Sequence, residues 1–256
     1  MLFKQIIFGP VHSRRLGVSL GINLLPEDIK LCTYNCIYCE CGWGETEELL
    51  SSKLLSPDII VPVWEEKFNE LKSQHVHLDS ITYSGNGEPT VYPQFGKLTE
   101  ELIRLRNMYF PQTIITCLSN STQLHRLDVL HALQAIDNPI MKLDTGIQTT
   151  FEQINKPFSS ISVEDICTYL CEFQGNLTIQ TLFLKGVLDD GTKIDNTTEE
   201  ELSAWLDCLK SIKPHTAMLY PIDRKTPAKK LEKIEKAVLE QIAKRVGELG
   251  IKPLVY

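Results

Sequence analysis

Apolar positions in this chain fall into two alternating patterns, short continuous runs and longer stretches with helical spacing. The runs read as buried strands and the spaced stretches as amphipathic helices. Residues 3–8 and 18–25 give the first two strand signals, connected by 9–17. Pro26, Glu27 and Asp28 end the second strand. A helix is expected within 57–74, with Ile60, Trp64, Phe68 and Leu71 on one face and a start left open by Pro62. Strand 81–84 precedes a helix whose apolar face is Phe95, Leu98, Leu102 and Leu105. Strand 114–118 ends at Ser119 and Asn120, where Ser121 or Thr122 can cap a helix carrying Leu124, Leu127 and Leu130. Strand 140–143 ends at Asp144, and Ser162 caps a helix with Ile166, Tyr169, Leu170 and Phe173. The run 177–184 is the longest strand signal. Thr197 and Glu200 have capping-box spacing before Leu202, Trp205, Leu206 and Leu209. Strand 217–220 follows, and Leu231, Ile234, Val238, Ile242 and Leu249 mark one long final helix.

Strands that are apolar throughout, alternating with helices, predict an α/β fold with a parallel sheet covered by helices. Six strand–helix units begin with the strand at 18–25. No internal repeat, low-complexity tract or linker interrupts them, so residues 1–256 read as a single domain. Residues 1–17 form an N-terminal β extension, and 221–256 a C-terminal helix and tail.

Composition narrows the class. At 43% hydrophobic and 23% charged, the chain has the balance of a globular protein with a substantial core. A formal charge of −7 argues against broad nucleic-acid or anionic-membrane binding. No stretch approaches the roughly 18 to 20 apolar residues of a membrane span, and residues 1–9 do not read as a signal peptide. Eight cysteines in a chain this long do not form a secreted disulfide framework, so a cytoplasmic location with reduced thiols is expected. Cys117, Cys167, Cys171 and Cys208 sit in apolar periodic segments and read as small core residues.

Three of the remaining thiols carry the chemistry. Cys32, Cys36 and Cys39 are spaced C-x3-C-x2-C in a segment too short and turn-rich for a helix or strand. A loop this tight turns its sulfurs to a common centre, as ligands of a metal or an iron–sulfur cluster. A structural zinc site would want a fourth ligand, with Cys41 the candidate, and usually takes paired knuckles. Three cysteines alone suit a four-iron cluster with one iron left open.

Ligands of parallel β/α folds bind where the strands' carboxyl ends converge. The cysteine loop follows the first of the six strands, and Gly85-Asn86-Gly87-Glu88-Pro89 the second. The later strands bring Ser119 and Asn120, then Asp144, Gln180 and Tyr220. Taken alone, Asp144 reads equally as a cap or turn residue, and Gln180 as a polar interior residue.

The cysteine spacing with Tyr38 before the last thiol, the 85–89 segment one unit later and the six-fold alternation resemble the radical S-adenosylmethionine (SAM) superfamily over nearly the whole chain. The segment Gly9-Pro10-Val11-His12-Ser13-Arg14-Arg15-Leu16-Gly17, with residues 20–26, resembles a single-cluster subgroup related to wyosine-synthesis and nitrogenase-cofactor proteins. Those relatives usually have proline where this chain has His12. The resemblance implies a partial (β/α)6 TIM-like barrel with a short N-terminal β extension. It implies that Cys32, Cys36 and Cys39 ligate a [4Fe–4S] cluster whose open iron chelates S-adenosylmethionine. One-electron cleavage would then yield methionine and a 5′-deoxyadenosyl radical that abstracts hydrogen from a substrate.

By the same resemblance, Gly87, Glu88 and Pro89 match the motif that receives the methionine amino group. Asn86 stands where the first glycine often stands, or Gly85 fills that role. Ser119 or Asn120 and Asp144 would reach the methionine carboxylate or the ribose, Gln180 and Tyr220 the ribose and adenine, and Tyr38 would pack near the adenine. A reductant such as flavodoxin or ferredoxin is implied as partner. The substrate is open among a small molecule, a peptide and, less favoured, tRNA. Many relatives hold auxiliary clusters in a cysteine-rich C-terminal extension; no cysteine follows Tyr220, so a single cluster is expected. Arg14 and Arg15 are candidates to clamp a carboxylate or phosphate. The basic stretch 223–230 reads as a solvated helix start or, more sharply, as a dock for an acidic partner. Two other functions compete: a zinc or cluster module without catalysis, and an activase that makes a glycyl radical in a partner enzyme.

Overall fold

Each strand needs two covered faces, and two groups of strands and helices supply them. The computed structural model describes residues 2–44 and 54–256. The polar, acidic stretch 45–53 lies outside the described residues. The first compact unit comprises Met1–Thr33, Gly44–Ser119 and Gln123–Pro139, and the second Tyr34–Trp43, Asn120–Thr122 and Ile140–Tyr256.

In the first unit, β1 (Ile7–Ser13) and β2 (Gly17–Ile22) form an antiparallel hairpin. β3 (Ser80–Tyr83) and β4 (Ile114–Ser119) extend it in parallel, with Ile22 opposite Tyr83 and Tyr83 opposite Cys117. The first strand starts later than expected and takes in Pro10 to Ser13. The second stops at Ile22 because Asn23 turns its amide onto Leu25, donating to Leu25 O at 2.9 Å and accepting from Leu25 N at 3.3 Å. α1 (Pro57–Ser73) buries Ile60, Trp64, Phe68 and Leu71 as expected. It opens at Pro57, whose missing N–H costs nothing at the first helical position, and Pro62 lies within it. α2 (Phe95–Tyr109) buries Phe95, Leu98, Leu102 and Leu105.

α3 (Leu127–Ala135) departs from the expected start at Ser121 or Thr122. Asn120 Oδ1 accepts from Thr122 N at 3.1 Å and Thr122 Oγ1 at 2.8 Å. This closes a local turn where the sequence suggested a cap, and Ser121 takes a left-handed φ of 72°. Leu127, expected on the buried face, is 67% exposed.

In the second unit, β5 (Asn138–Lys142, in this unit from Ile140), β6 (Thr178–Val187), β8 (Thr216–Pro221) and β10 (Lys252–Val255) run parallel in that order. β6 is buried from Thr178 to Leu184, and its far end carries two short antiparallel strands, β7 (Lys193–Asp195) and β9 (Leu231–Lys233). The helices are α4 (Gln148–Asn155), α5 (Val163–Cys171), α6 (Glu199–Ile212) and α7 (Lys236–Glu248).

The single final helix expected from Leu231 to Leu249 is corrected to a strand, a helix and a further strand. Gly186 makes this possible: an added Cβ there would lie 2.4 Å from Lys230 O, so only glycine lets 230–233 lie against β6. The α6 cap is also one residue later than expected. Thr198 Oγ1 accepts from Glu201 N at 3.3 Å, and Thr197 instead bonds Asp195. Glu201 turns inward, accepting from Thr145 Oγ1 and Thr150 Oγ1 at 2.5 Å each. Cys117 is a core residue as read, but Cys171 is exposed and Cys167 and Cys208 are half-buried.

Ser162 caps α5 as expected and, beyond that expectation, forms a capping box with Asp165: it accepts from Asp165 N at 3.0 Å while Asp165 Oδ2 accepts from Ser162 N at 3.0 Å. Ser162→Ala is expected to destabilise the fold by about 1 kcal/mol, the usual cost of a lost N-cap. A urea-unfolding midpoint unchanged from wild type would contradict that.

Candidate functional site

The base of the cysteine loop is built in the first unit. Leu31, immediately before Cys32, pairs with Gly87 as a short parallel bridge. Leu31 N donates to Asn86 O at 2.9 Å, and Glu88 N donates to Leu31 O at 2.9 Å. Gly87 has a φ of +142°, and a Cβ there would sit 1.7 Å from Leu31 O. Only glycine allows this approach. Glu88 follows, 2% exposed, capping a 3-10 turn over Pro89–Val91 with Pro89 buried at its first position. Its Oε1 accepts from Thr90 N at 3.1 Å and Thr90 Oγ1 at 2.5 Å. The structure therefore brings Gly87, Glu88 and Pro89 to the root of Cys32. Ser119, buried, closes β4.

Asn86 carries out a task that spacing could not reveal. Its Oδ1 accepts from Phe3 N at 2.7 Å, and its Nδ2 donates to Phe3 O at 2.8 Å and Pro26 O at 2.7 Å. The amide thus ties the start of the chain and the end of the second strand's turn to the 85–89 segment.

The rest of the loop, Tyr34–Trp43, belongs to the second unit and is pinned through its backbone. Asn35 N donates to Asn155 O and Lys156 O at 3.0 Å each, and Ile37 N to Ile154 O at 3.0 Å. Those acceptors are the orphan carbonyls of the α4 C-terminus, where Lys156 adopts the left-handed conformation that ends the helix. Ala228 N donates to Ile37 O at 3.1 Å, and Arg224 Nη1 pairs with Glu40 Oε2 at 2.5 Å. The basic stretch 223–230, read as a possible helix start, is instead a non-helical segment fastened to the cysteine loop. Cys36 is buried, while Cys32, Cys39 and Cys41 are half-buried.

Beneath Cys36 and Tyr38 lies a closed polar network. Tyr38 OH donates a very short hydrogen bond to Asp144 Oδ2. Asn155 Nδ2 donates to Asp144 Oδ2 at 2.8 Å, and contacts Tyr38 OH at 3.3 Å and Cys36 Sγ at 3.5 Å. Leu182 N donates to Asp144 Oδ1 at 2.9 Å. Lys142 Nζ stands 3.7 Å from Asp144 Oδ2, donates to Tyr220 OH at 3.3 Å and lies 5.1 Å from the centre of the Tyr38 ring. Burial pushes the Cys36 thiol up to about 11, with the Lys142 charge opposing it. Burial works against the Lys142 ammonium, but Asp144, Tyr220 and Cys36 outweigh it and keep the charge in place.

Tyr38, Asp144 and Tyr220 thus belong to one network with Cys36, joined through Asn155 and Lys142. Gln180 is buried on β6 opposite Lys142, and Asn120 is buried in its own turn. Two members of the network, Lys142 and Asn155, lie outside the site residues expected from the sequence. Lys142 lies two residues before Asp144, on the same side of an extended chain, so the signal was present. Asn155 had none, because α4 carried no recognised pattern. Arg14 and Arg15 sit in the β1–β2 turn, where Ser13 Oγ accepts from Arg15 N at 3.3 Å and Leu16 N at 3.2 Å.

Among the described residues, no three His, Cys, Asp or Glu side chains converge as ligands of one ion. The expected convergence of the three sulfurs on one ion is thus not shown; thiolates of a four-iron cluster each take a different iron, and the fit of the triplet lies in its donor chemistry, three cysteines outside any disulfide on a buried or half-buried loop.

The family model described as the radical SAM superfamily matches residues 27–193. A UPF0026 protein of Helicobacter pylori is 32% identical over 222 residues, covering 86% of this chain and 67% of that protein. The chain spans only 33% of another curated relative and 59% of a third. A radical SAM methyltransferase from Sphaerobacter thermophilus matches with a TM-score of 0.63 at 12% identity, over 93% of this chain and 65% of that one. TYW1 with a lysine-pyruvate adduct matches at 0.61 and 13%, over 90% and 73%. At such identities the likeness shows the fold, an α/β fold with mostly parallel strands of the expected partial-barrel class.

Proposed function

Because the chain belongs to the radical SAM superfamily, whose members work with a [4Fe–4S] cluster and S-adenosylmethionine, we propose that Cys32, Cys36 and Cys39 hold that cluster for reductive cleavage of S-adenosylmethionine. The observation that carries this is the Leu31–Gly87 bridge. It sets the backbone leading into Glu88 against the residue before the first cysteine. When bound there, the cluster would supply the electron for reductive cleavage of S-adenosylmethionine, and with it radical chemistry on the substrate.

This chain's residues bind and orient. Gly87, Glu88 and Pro89 receive the methionine amino group, Glu88 being held by Thr90. Ser119 and Asn120 serve the carboxylate or ribose, and Gln180 and Tyr220 the ribose and adenine. Asp144, already engaged by Tyr38, Asn155, Lys142 and Leu182 N, serves by fixing Tyr38 for the adenine and Lys142 beside it. A flavodoxin or ferredoxin delivers the electron, and the substrate is a small molecule, a peptide or tRNA. Among the described residues no helix is long and apolar enough to cross a membrane.

Anaerobic reconstitution should load about four irons per chain, and dithionite with S-adenosylmethionine should release 5′-deoxyadenosine. Cys36→Ala should lose both. Iron at that level without 5′-deoxyadenosine would favour a non-catalytic cluster module. Stoichiometric zinc in its place would sink the cluster assignment.

A further inference from the structure

We infer that Asn155 tunes the reduction potential of the cluster by donating a hydrogen bond to the sulfur of Cys36, an inference that rests on the reading of Cys36 as a cluster ligand. The potential of an iron–sulfur centre depends on its net charge, its solvent exposure and the hydrogen bonds its sulfurs accept. A donor to a ligand sulfur stabilises the more negative, reduced state and raises the potential. Groups behind the ligands act in this way on metal sites generally.

Asn155 is built for this position. The residue is 1% exposed and its Nδ2 lies 3.5 Å from Cys36 Sγ, within reach of an N–H···S bond. One amide hydrogen goes to Asp144 at 2.8 Å, which leaves the other for the sulfur and the Tyr38 oxygen. The position is fixed from the other side as well. The carbonyl of Asn155 accepts from Asn35 N, one residue before Cys36, so helix end and ligand loop move as one piece. The left-handed turn at Lys156, directly after Asn155, stops α4 where that amide faces the loop. None of this is needed to hold Asp144, which Leu182 N and Tyr38 OH already bind.

The test is a potentiometric titration of the reconstituted cluster, followed by EPR without S-adenosylmethionine. Asn155→Ala should lower the midpoint enough to cut the reduced-to-oxidised ratio at a fixed poise about tenfold, equivalent to 59 mV for one electron. Tyr38→Phe removes the rival acceptor of the Asn155 amide hydrogen, leaving it to the sulfur, and should keep the midpoint at or above that of the wild type. An unchanged midpoint in Asn155→Ala at full iron loading, or an equal shift in Tyr38→Phe, would overturn the inference and leave the cluster reading standing. Failure of the wild-type chain to load iron would instead remove the reading beneath it. Should Asn155→Ala not load, wild-type protein with ¹⁵N-labelled asparagine answers the question. A ¹⁵N coupling to the reduced cluster in ENDOR is required, and its absence counts against the inference.

Discussion

Gly87→Ala is expected to lower stability by about 3–5 kcal/mol and to cut iron loading with it. Two costs add. The φ of +142° is one that an L side chain tolerates only under strain of about 1–3 kcal/mol. The new Cβ would also lie 1.7 Å from the carbonyl oxygen of Leu31, a backbone atom that no rotamer change can move. Relieving the clash separates the strands of the bridge and gives up the Leu31–Asn86 and Glu88–Leu31 hydrogen bonds, each worth about 1 kcal/mol. Since Leu31 precedes Cys32, the same separation displaces the first proposed ligand. Urea unfolding and iron analysis of the reconstituted variant give the two readouts. A wild-type midpoint in urea would mean that the bridge contributes nothing.

Asp144→Ala should cost a similar amount, about 3–5 kcal/mol, for an electrostatic reason. The side chain of Asp144 is fully buried and that of Lys142 is 15% exposed, 3.7 Å away. Removing the carboxylate strands an ammonium that water reaches poorly, and breaking one half of a buried pair is costly in that range. Tyr38 OH, Asn155 and Leu182 N lose their acceptor in the same step. The double variant Asp144→Ala with Lys142→Met should recover part of the loss, because the uncompensated charge goes too. Additive losses in a thermal or urea double-mutant cycle would show that the pair does not interact.

The helix faces were legible because burial follows the 3.6-residue period, as in Ile60, Trp64, Phe68 and Leu71 of α1. Ser162 was legible because an N-cap is local chemistry. Thr197 was misread as a cap because Asp195 competes for its hydroxyl. β9 was read as helix because Leu231 and Ile234 match helical spacing by coincidence, and only the close approach at Gly186 reveals the strand. In the site, residue types at strand ends point to Asp144 and Tyr220, and the resemblance of the cysteine loop points to Tyr38. The pins that place them were invisible, since a backbone N–H such as that of Asn35 or Ile37 carries no signature in the sequence. Asn86 belongs with them, since it works through an amide aimed at Phe3 and Pro26.

Those backbone pins bear on the life of the protein without its metal. In zinc fingers the ligands are gathered by the ion, and removing it unfolds the domain. Residues 34–43 are instead held by Asn155, Lys156, Ile154 and Ala228, through bonds that need no ligation. The stretch that carries two of the three proposed ligands is therefore held by backbone bonds that do not depend on ligation.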